Sequence, residues 1–161
     1  MVHSKFEFTN IKCENLDKLF GGFEYCYLKS INRTYKYASL KVNLFQIPIT
    51  NFSVNLAVLK WSNGYRPFVY NFTTDGCKFL GNVNARNPVG KYFFDFISPY
   101  ANVNHKCPFN HDIILDKVPI SHMDYQLTKL IPFPKADYLF ESTWFAYGIT
   151  RGIVKIYGKL S

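Results

Sequence analysis

The stretch Phe52-Ser53-Val54-Asn55-Leu56-Ala57-Val58 alternates large apolar with small or polar side chains, and Asn63-Gly64 followed by Tyr65-Arg66-Pro67-Phe68-Val69-Tyr70-Asn71-Phe72 comes shortly after it. Alternation with a period of two is the mark of a strand that gives one face to a core. Asn-Gly supplies the two positive φ values of a tight hairpin turn, so the second run is predicted to return antiparallel, with Pro67 placing it near a sheet edge. Ser39 to Leu44 repeats the pattern, with Leu40, Val42 and Leu44 separated by Lys41 and Asn43. Working outward, further strands are predicted at Lys5 to Lys12, Phe23 to Lys29, Asp112 to Val118, Tyr125 to Leu130, Tyr138 to Trp144 and Gly152 to Tyr157. About nine short strands at this spacing predict an all-β, two-sheet antiparallel β-sandwich. Asn outnumbers Ala fourteen to six, a bias toward strands and turns rather than helices.

One segment departs from that period. Asn87-Pro88 reads as an N-cap followed by Pro at the first helical position, and Val89, Tyr92, Phe93, Phe96 and Ile97 then fall on one helical stripe. A short helix is expected over 88–98, closed by Pro99 and laid against an apolar face of the sandwich. Ile131-Pro132-Phe133-Pro134 is expected to be a stiff extended loop.

The length of 161 residues suits a single domain over 1–161. Thirty aromatic side chains in a chain that is 48% hydrophobic exclude intrinsic disorder and supply a large core. No run reaches the roughly 18 apolar residues of a membrane-spanning helix. The formal charge of +8 suits an anionic partner, a membrane surface or mere solubility, and composition does not choose among them. Cysteines at 13, 26, 77 and 107 form no CxxC pair, which points to two disulfides in an oxidising compartment. Sequons at Asn32, Asn51 and Asn71 agree with secretion, although roughly one or two would arise by chance. Met1 to Phe20 carries six charged residues and no apolar signal core. The expectation is therefore an extracellular mature chain with an added initiator Met, its signal peptide removed; the alternative is a cytosolic chain with reduced thiols.

Catalytic patterns are not evident: there is no Gly-x-Ser-x-Gly elbow, no His-Glu-x-x-His and no phosphate loop. The expectation is a protein that is not an enzyme and uses no cofactor. His105, Cys107 and His111 gather three potential metal ligands, but a fourth is lacking and Cys107 is better used in a disulfide, so no metal is expected. Lys and Arg are scattered singly, several at outward strand positions such as Lys41 and Lys155, and nucleic acid is not an expected partner. What remains is the surplus of apolar side chains, which fits either a plain core or a cavity between the sheets.

Several ordered phrases carry a resemblance. Phe8-Thr9-Asn10-Ile11-Lys12-Cys13-Glu14, Cys26-Tyr27-Leu28-Lys29-Ser30-Ile31-Asn32-Arg33-Thr34, Asn63-Gly64-Tyr65-Arg66-Pro67-Phe68, Asp75-Gly76-Cys77-Lys78-Phe79-Leu80, Asn104 to Asp112 and Pro132 to Tyr138 resemble successive signatures of an insect family of secreted proteins. That family includes the Che-type chemosensory proteins, which are similar to the ganglioside activator and the ML lipid-recognition sandwiches. The chain departs from the family pattern at Gly76, where Ala usually precedes the cysteine. The resemblance implies a secreted ML-like, immunoglobulin-like sandwich that binds a lipid or another hydrophobic small molecule, in some relatives in chemosensory or pheromone-sensing tissue, without catalysis. Four cysteines allow three pairings. The local one is expected: Cys13 with Cys26 across the 17–22 turn, and Cys77 with Cys107 around the helix. Alternation selects Leu40, Val42, Leu44, Phe52, Val54, Leu56 and Val58 as candidate cavity wall, with Tyr92, Phe93 and Phe96 capping the entrance and basic rim residues holding a head group. The alternative is an extracellular interaction module with a filled core, whose loops meet a membrane receptor, a channel or a glycan. The oligomeric state is left open.

Overall fold

The alternation closes into two antiparallel sheets in the computed structural model, which describes residues 4–83 and 87–161; Met1, read above as an added initiator, lies outside the described residues. Strands β1 (Phe6–Asn15), β4 (Phe52–Trp61), β5 (Tyr65–Asp75), β7 (Ala136–Ala146) and β8 (Ile149–Leu160) form one sheet in the order β1-β8-β7-β4-β5. Strands β2 (Gly21–Ser30), β3 (Lys36–Leu44) and β6 (Ile113–Pro119) form the second, in the order β2-β3-β6. Asn63 and Gly64 have φ of 54° and 110°, and β4 and β5 pair antiparallel around them as the Asn-Gly pair predicts. Pro67 lies on β5, an edge strand, where its missing N–H interrupts no central ladder. A second tight turn at Tyr147 and Gly148, also with positive φ, joins β7 to β8.

Both disulfides take the local pairing. Cys13–Cys26 ties edge strand β1 to edge strand β2, and Cys77–Cys107 ties helix α1 (Gly76–Gly81) to the loop before β6. The two sheets are thus linked covalently along one open side, and the helical segment is anchored along another.

Three expectations are corrected. Tyr125 to Leu130 is not a ninth strand: α3 (Ile120–Tyr125) continues into a π-helical turn over Gln126–Leu130, and the described residues hold eight strands. Ile120, Met123 and Leu127 recur at i, i+3 and i+7, a helical period that a reading begun at Tyr125 misses. Asp124 then accepts a hydrogen bond from Phe6 N at 2.8 Å, fixing this helix to the start of β1. Helix α2 (Pro88–Phe94) is shorter than 88–98 and is followed by a 3-10 turn over Ser98–Tyr100. Its predicted cap is present, with Asn87 Oδ1 accepting from Gly90 N at 2.9 Å. Residues 76–81, where no element is predicted, form a further helix, α1, capped by Asp75, whose side chain accepts from Lys78 N.

Buried side chains fall in two clusters. The larger centres on Phe6, Leu127, Tyr138 and Leu160, near the end where β1 begins and β8 finishes. The smaller, with Phe20, Ile49, Leu80, Phe109 and Ala146, lies at the opposite end. Between them the packing is incomplete.

Candidate ligand-binding cavities

Val42, Leu56, Trp144, Val154 and Ile156 are inward strand residues, yet all are only half-buried. Val42, Leu56, Val154 and Ile156 pack against the larger buried cluster, Trp144 packs against Phe52, and each borders open space on another side. A cavity of about 230 Å³ lies between the sheets at the β1–β2 end, and a second of about 190 Å³ lies beside it toward the helices. Phe52, Ile97, Leu115, Trp144, Val154 and Ile156 border both, so the two chambers share a wall. Within that wall Phe52 and Trp144 stack with centroids 6.2 Å apart and an interplanar angle of 19°. Engineered voids of about 150 Å³ with apolar linings stay dry and take up small apolar guests, so these volumes are in the range of ligand sites.

The alternating candidates come together here. Leu40, Val42 and Leu44 line the larger chamber, Val54, Leu56 and Val58 the smaller, and Phe52 both. Phe93 and Phe96 line the smaller chamber, stacked on each other at 5.7 Å. Tyr92 lines neither: it turns toward the π-helical turn, where its hydroxyl donates to the Gln126 carbonyl and Gln126 Nε2 donates to Tyr92 O. Burial pushes the Tyr92 phenol well above its ordinary range, which keeps it a neutral donor. Tyr92 is thus a strut that holds α2 against the neighbouring helix.

Wall residues on β7 and β8 were missed, although Tyr138-Phe140-Ser142-Trp144 and Gly152-Val154-Ile156 carry the same period-two signal that selected β3 and β4. Phe20, Ile49, Val103 and Phe109 come from turns and loops, where no periodicity exists to reveal them. Phe109 is fixed by reciprocal backbone hydrogen bonds with Ile49 at 2.7 and 2.9 Å and by the neighbouring Cys77–Cys107 bond.

Polar groups at the chambers are satisfied by the protein. Trp144 Nε1 donates to Ser142 Oγ at 2.9 Å. Arg151 is held by Asp17 at 2.6 Å, donates to Ala146 O at 3.1 Å, and lies with its guanidinium 4.1 Å from the Phe20 ring centroid. Among the described residues no buried side-chain nitrogen or oxygen lacks a partner. The chambers therefore offer apolar surface and ask for no particular hydrogen bond. The rim of this end is apolar too, with Leu16, Leu19, Phe45, Ile47 and Ile149 exposed on the three turns that surround the larger chamber.

The His105-Cys107-His111 group does not assemble into a metal centre. Cys107 is bonded to Cys77, and the two imidazoles face each other with Nε2 atoms 2.7 Å apart. Among the described residues no cluster of three His, Cys, Asp or Glu side chains is placed to hold an ion. Asn32, Asn51 and Asn71 are all at exposed positions.

A family described as a protein of unknown function, DUF1091, matches residues 54–140, which runs from β4 into β7 and takes in both α1 and α2 and the Cys77–Cys107 bond. No curated protein matches the chain. With more than half of its length matched, the chain belongs to the DUF1091 family.

Proposed function

We propose that the protein is a secreted carrier or presenter of a lipid or other hydrophobic small molecule, held without covalent chemistry between the two sheets. The observation that carries this reading is the pair of adjoining apolar chambers at the centre of an otherwise close-packed sandwich. An apolar guest with about 300 Å² of buried surface gains roughly 7 kcal/mol from leaving water, enough for micromolar affinity after the costs of binding. At interior packing density a methylene occupies about 25 Å³, so the larger chamber suits roughly nine carbons and the smaller roughly eight. A single chain past the Phe52–Trp144 partition would fill both. The exposed apolar rim at Leu19, Phe45 and Ile149 gives the guest a surface to cross on its way in. Arg151, already paired with Asp17, is poorly placed to greet an anionic head group, so the guest is read as uncharged where it enters the larger chamber. Two disulfides fit an extracellular site of action, and the resemblance to Che-type and ML proteins extends the reading to chemosensory or pheromone perception. The sequons are read as glycosylation sites.

The test is native mass spectrometry and solvent extraction of the purified protein, with displacement of a fluorescent apolar probe. Val154→Phe, placed in the shared wall, is expected to lower probe affinity at least tenfold while leaving the melting temperature unchanged or higher, because the new ring enters empty space. A loss of stability of about 1–3 kcal/mol instead, with probe binding retained, would mean a filled core and would favour the loop-mediated interaction module.

A further inference from the structure

The positive charge of this protein is not spread evenly along the sandwich. The β2–β3 turn carries Arg33 and Lys36, the β4–β5 hairpin carries Lys60 and Arg66, and the segment before β7 carries Lys129 and Lys135. All three lie at one end. Tyr37 at the start of β3 pairs with Pro119 at the finish of β6, and α3, which follows directly, holds the start of β1 through Asp124 and Phe6 N. Lys60 at the finish of β4 pairs with Tyr138 at the start of β7. None of these six cations has a carboxylate within 4 Å among the described residues; elsewhere Lys41, Lys91, Arg151 and Lys155 are paired, while Lys12, Lys18, Lys78 and Lys106 are single and do not gather in one place. The carboxylates of this end are Glu7, paired with Lys5, Asp124, committed to Phe6 N, and Asp116 and Asp137.

The same three segments expose apolar and aromatic side chains between their cations: Ile31 and Tyr35 in the first, Trp61 in the second, Leu130 and Ile131 in the third. A polyanion such as nucleic acid or a sulfated glycan needs the cations but leaves Ile31, Leu130 and Ile131 without purpose. A bilayer surface uses both, since basic side chains meet anionic head groups while Trp, Tyr and short aliphatic groups sit at the interface. We infer that the end of the sandwich built by the β2–β3 turn, the β4–β5 hairpin and residues 129–135 docks on an anionic lipid membrane surface. Docked this way, the apolar rim around the larger chamber faces away from the bilayer, toward solvent or a further partner. The inference stands on the surface alone and does not require a guest in the chambers.

The probe is vesicles of phosphatidylcholine and phosphatidylserine in equal parts, compared with phosphatidylcholine alone, by sedimentation and tryptophan emission. Binding is expected to the anionic vesicles only and to weaken as salt is raised. Lys129→Gln with Lys135→Gln is expected to lower partitioning roughly thirtyfold, and Arg33→Gln with Lys36→Gln by a similar factor. Because the chain has two tryptophans, 61 and 144, the blue shift on vesicle addition is expected in the wild type and lost in Trp61→Phe. Leu19→Trp in that second background, which reports from the opposite end, is expected to show none. Absence of binding to anionic vesicles at low salt, equal binding to neutral ones, a shift reported by Leu19→Trp but not by Trp61, or binding without a Trp61 shift that heparin abolishes would each overturn the inference, the last in favour of a soluble polyanion.

Discussion

Gly158 shows how one missing side chain shapes the closed end of the interior. A Cβ at this position in β8 would lie 2.1 Å from Phe6 Cζ and 3.0 Å from the Glu7 carbonyl. Phe6 is fully buried, flanked by Phe8 at 5.4 Å and Phe140 at 6.3 Å, so its ring has nowhere to retreat. The glycine lets that ring lie directly on the sheet and seal the end of the core beneath the basic surface. Gly158→Ala is expected to cost about 1–3 kcal/mol, an overpacking penalty read as a lower urea midpoint with an unchanged slope. The contrast with Val154, four residues earlier on the same face of β8, is the informative part. There a larger residue meets a void, and near-neutral stability is expected. Equal losses at the two positions would mean that the middle of the sandwich is as tightly filled as its end.

At the scale of elements, the disulfides replace packing that a hollow sandwich lacks. The Cys13–Cys26 loop spans 13 residues and the Cys77–Cys107 loop 30, and a chain-entropy estimate gives about 3 kcal/mol of stabilisation for the first and about 3.6 kcal/mol for the second. Reduction is expected to lower the melting temperature by well over 10 °C, because each loop is worth a large share of a domain's net stability. Cys77→Ser with Cys107→Ser should weaken probe binding more than Cys13→Ser with Cys26→Ser, since Phe109 beside Cys107 and Phe79 beside Cys77 both line a chamber. Equal effects on probe binding would separate the α1 anchor from the site. Which elements were legible in the sequence follows the same logic of local against distant causes. The Asn63-Gly64 hairpin, the Asn87 cap and the alternating wall of β3 and β4 are written in adjacent residues, and all are present. Helix α3 was misread because Tyr125 and Thr128 favour strands locally, while its helical face is defined by Met123 and Leu127 packing into a core assembled from the whole chain. The loop contributions of Val103 and Phe109 depend on a distant disulfide and on a bridge to Ile49, and no spacing rule announces either.

For the molecule as a whole, stability at high pH is set by buried phenols that join its parts. Tyr92 links α2 to the π-helical turn through the Gln126 carbonyl, and Tyr138 links β7 to the 131–135 loop by donating to the Pro134 carbonyl. Both belong to the larger buried cluster, so both are exposed only when the domain opens. Burial raises Tyr138 from its ordinary 10.0 to about 12 and raises Tyr92 further. Below pH 10 each phenol is protonated in the folded and unfolded chain alike, and the full stability is present. Above pH 10 the unfolded chain gives up these protons while the folded one retains them, so stability falls as pH climbs toward 12 and beyond. The expected result is a melting temperature that is flat on the acid side of pH 10 with respect to these two groups and declines steeply above it. Tyr138→Phe and Tyr92→Phe should each start lower at neutral pH, having lost a buried hydrogen bond worth about 1 kcal/mol, and should decline less steeply under alkali. The two substitutions act in one cluster, through different carbonyl partners, so the double variant should lose the part of the alkaline slope that these two phenols carry, while Tyr65, also raised by burial, keeps its share. If that slope were the same in the double variant as in the wild type, the alkaline transition would belong to other groups, and the phenols would not be the joints that hold α2 and the 131–135 loop to the sandwich.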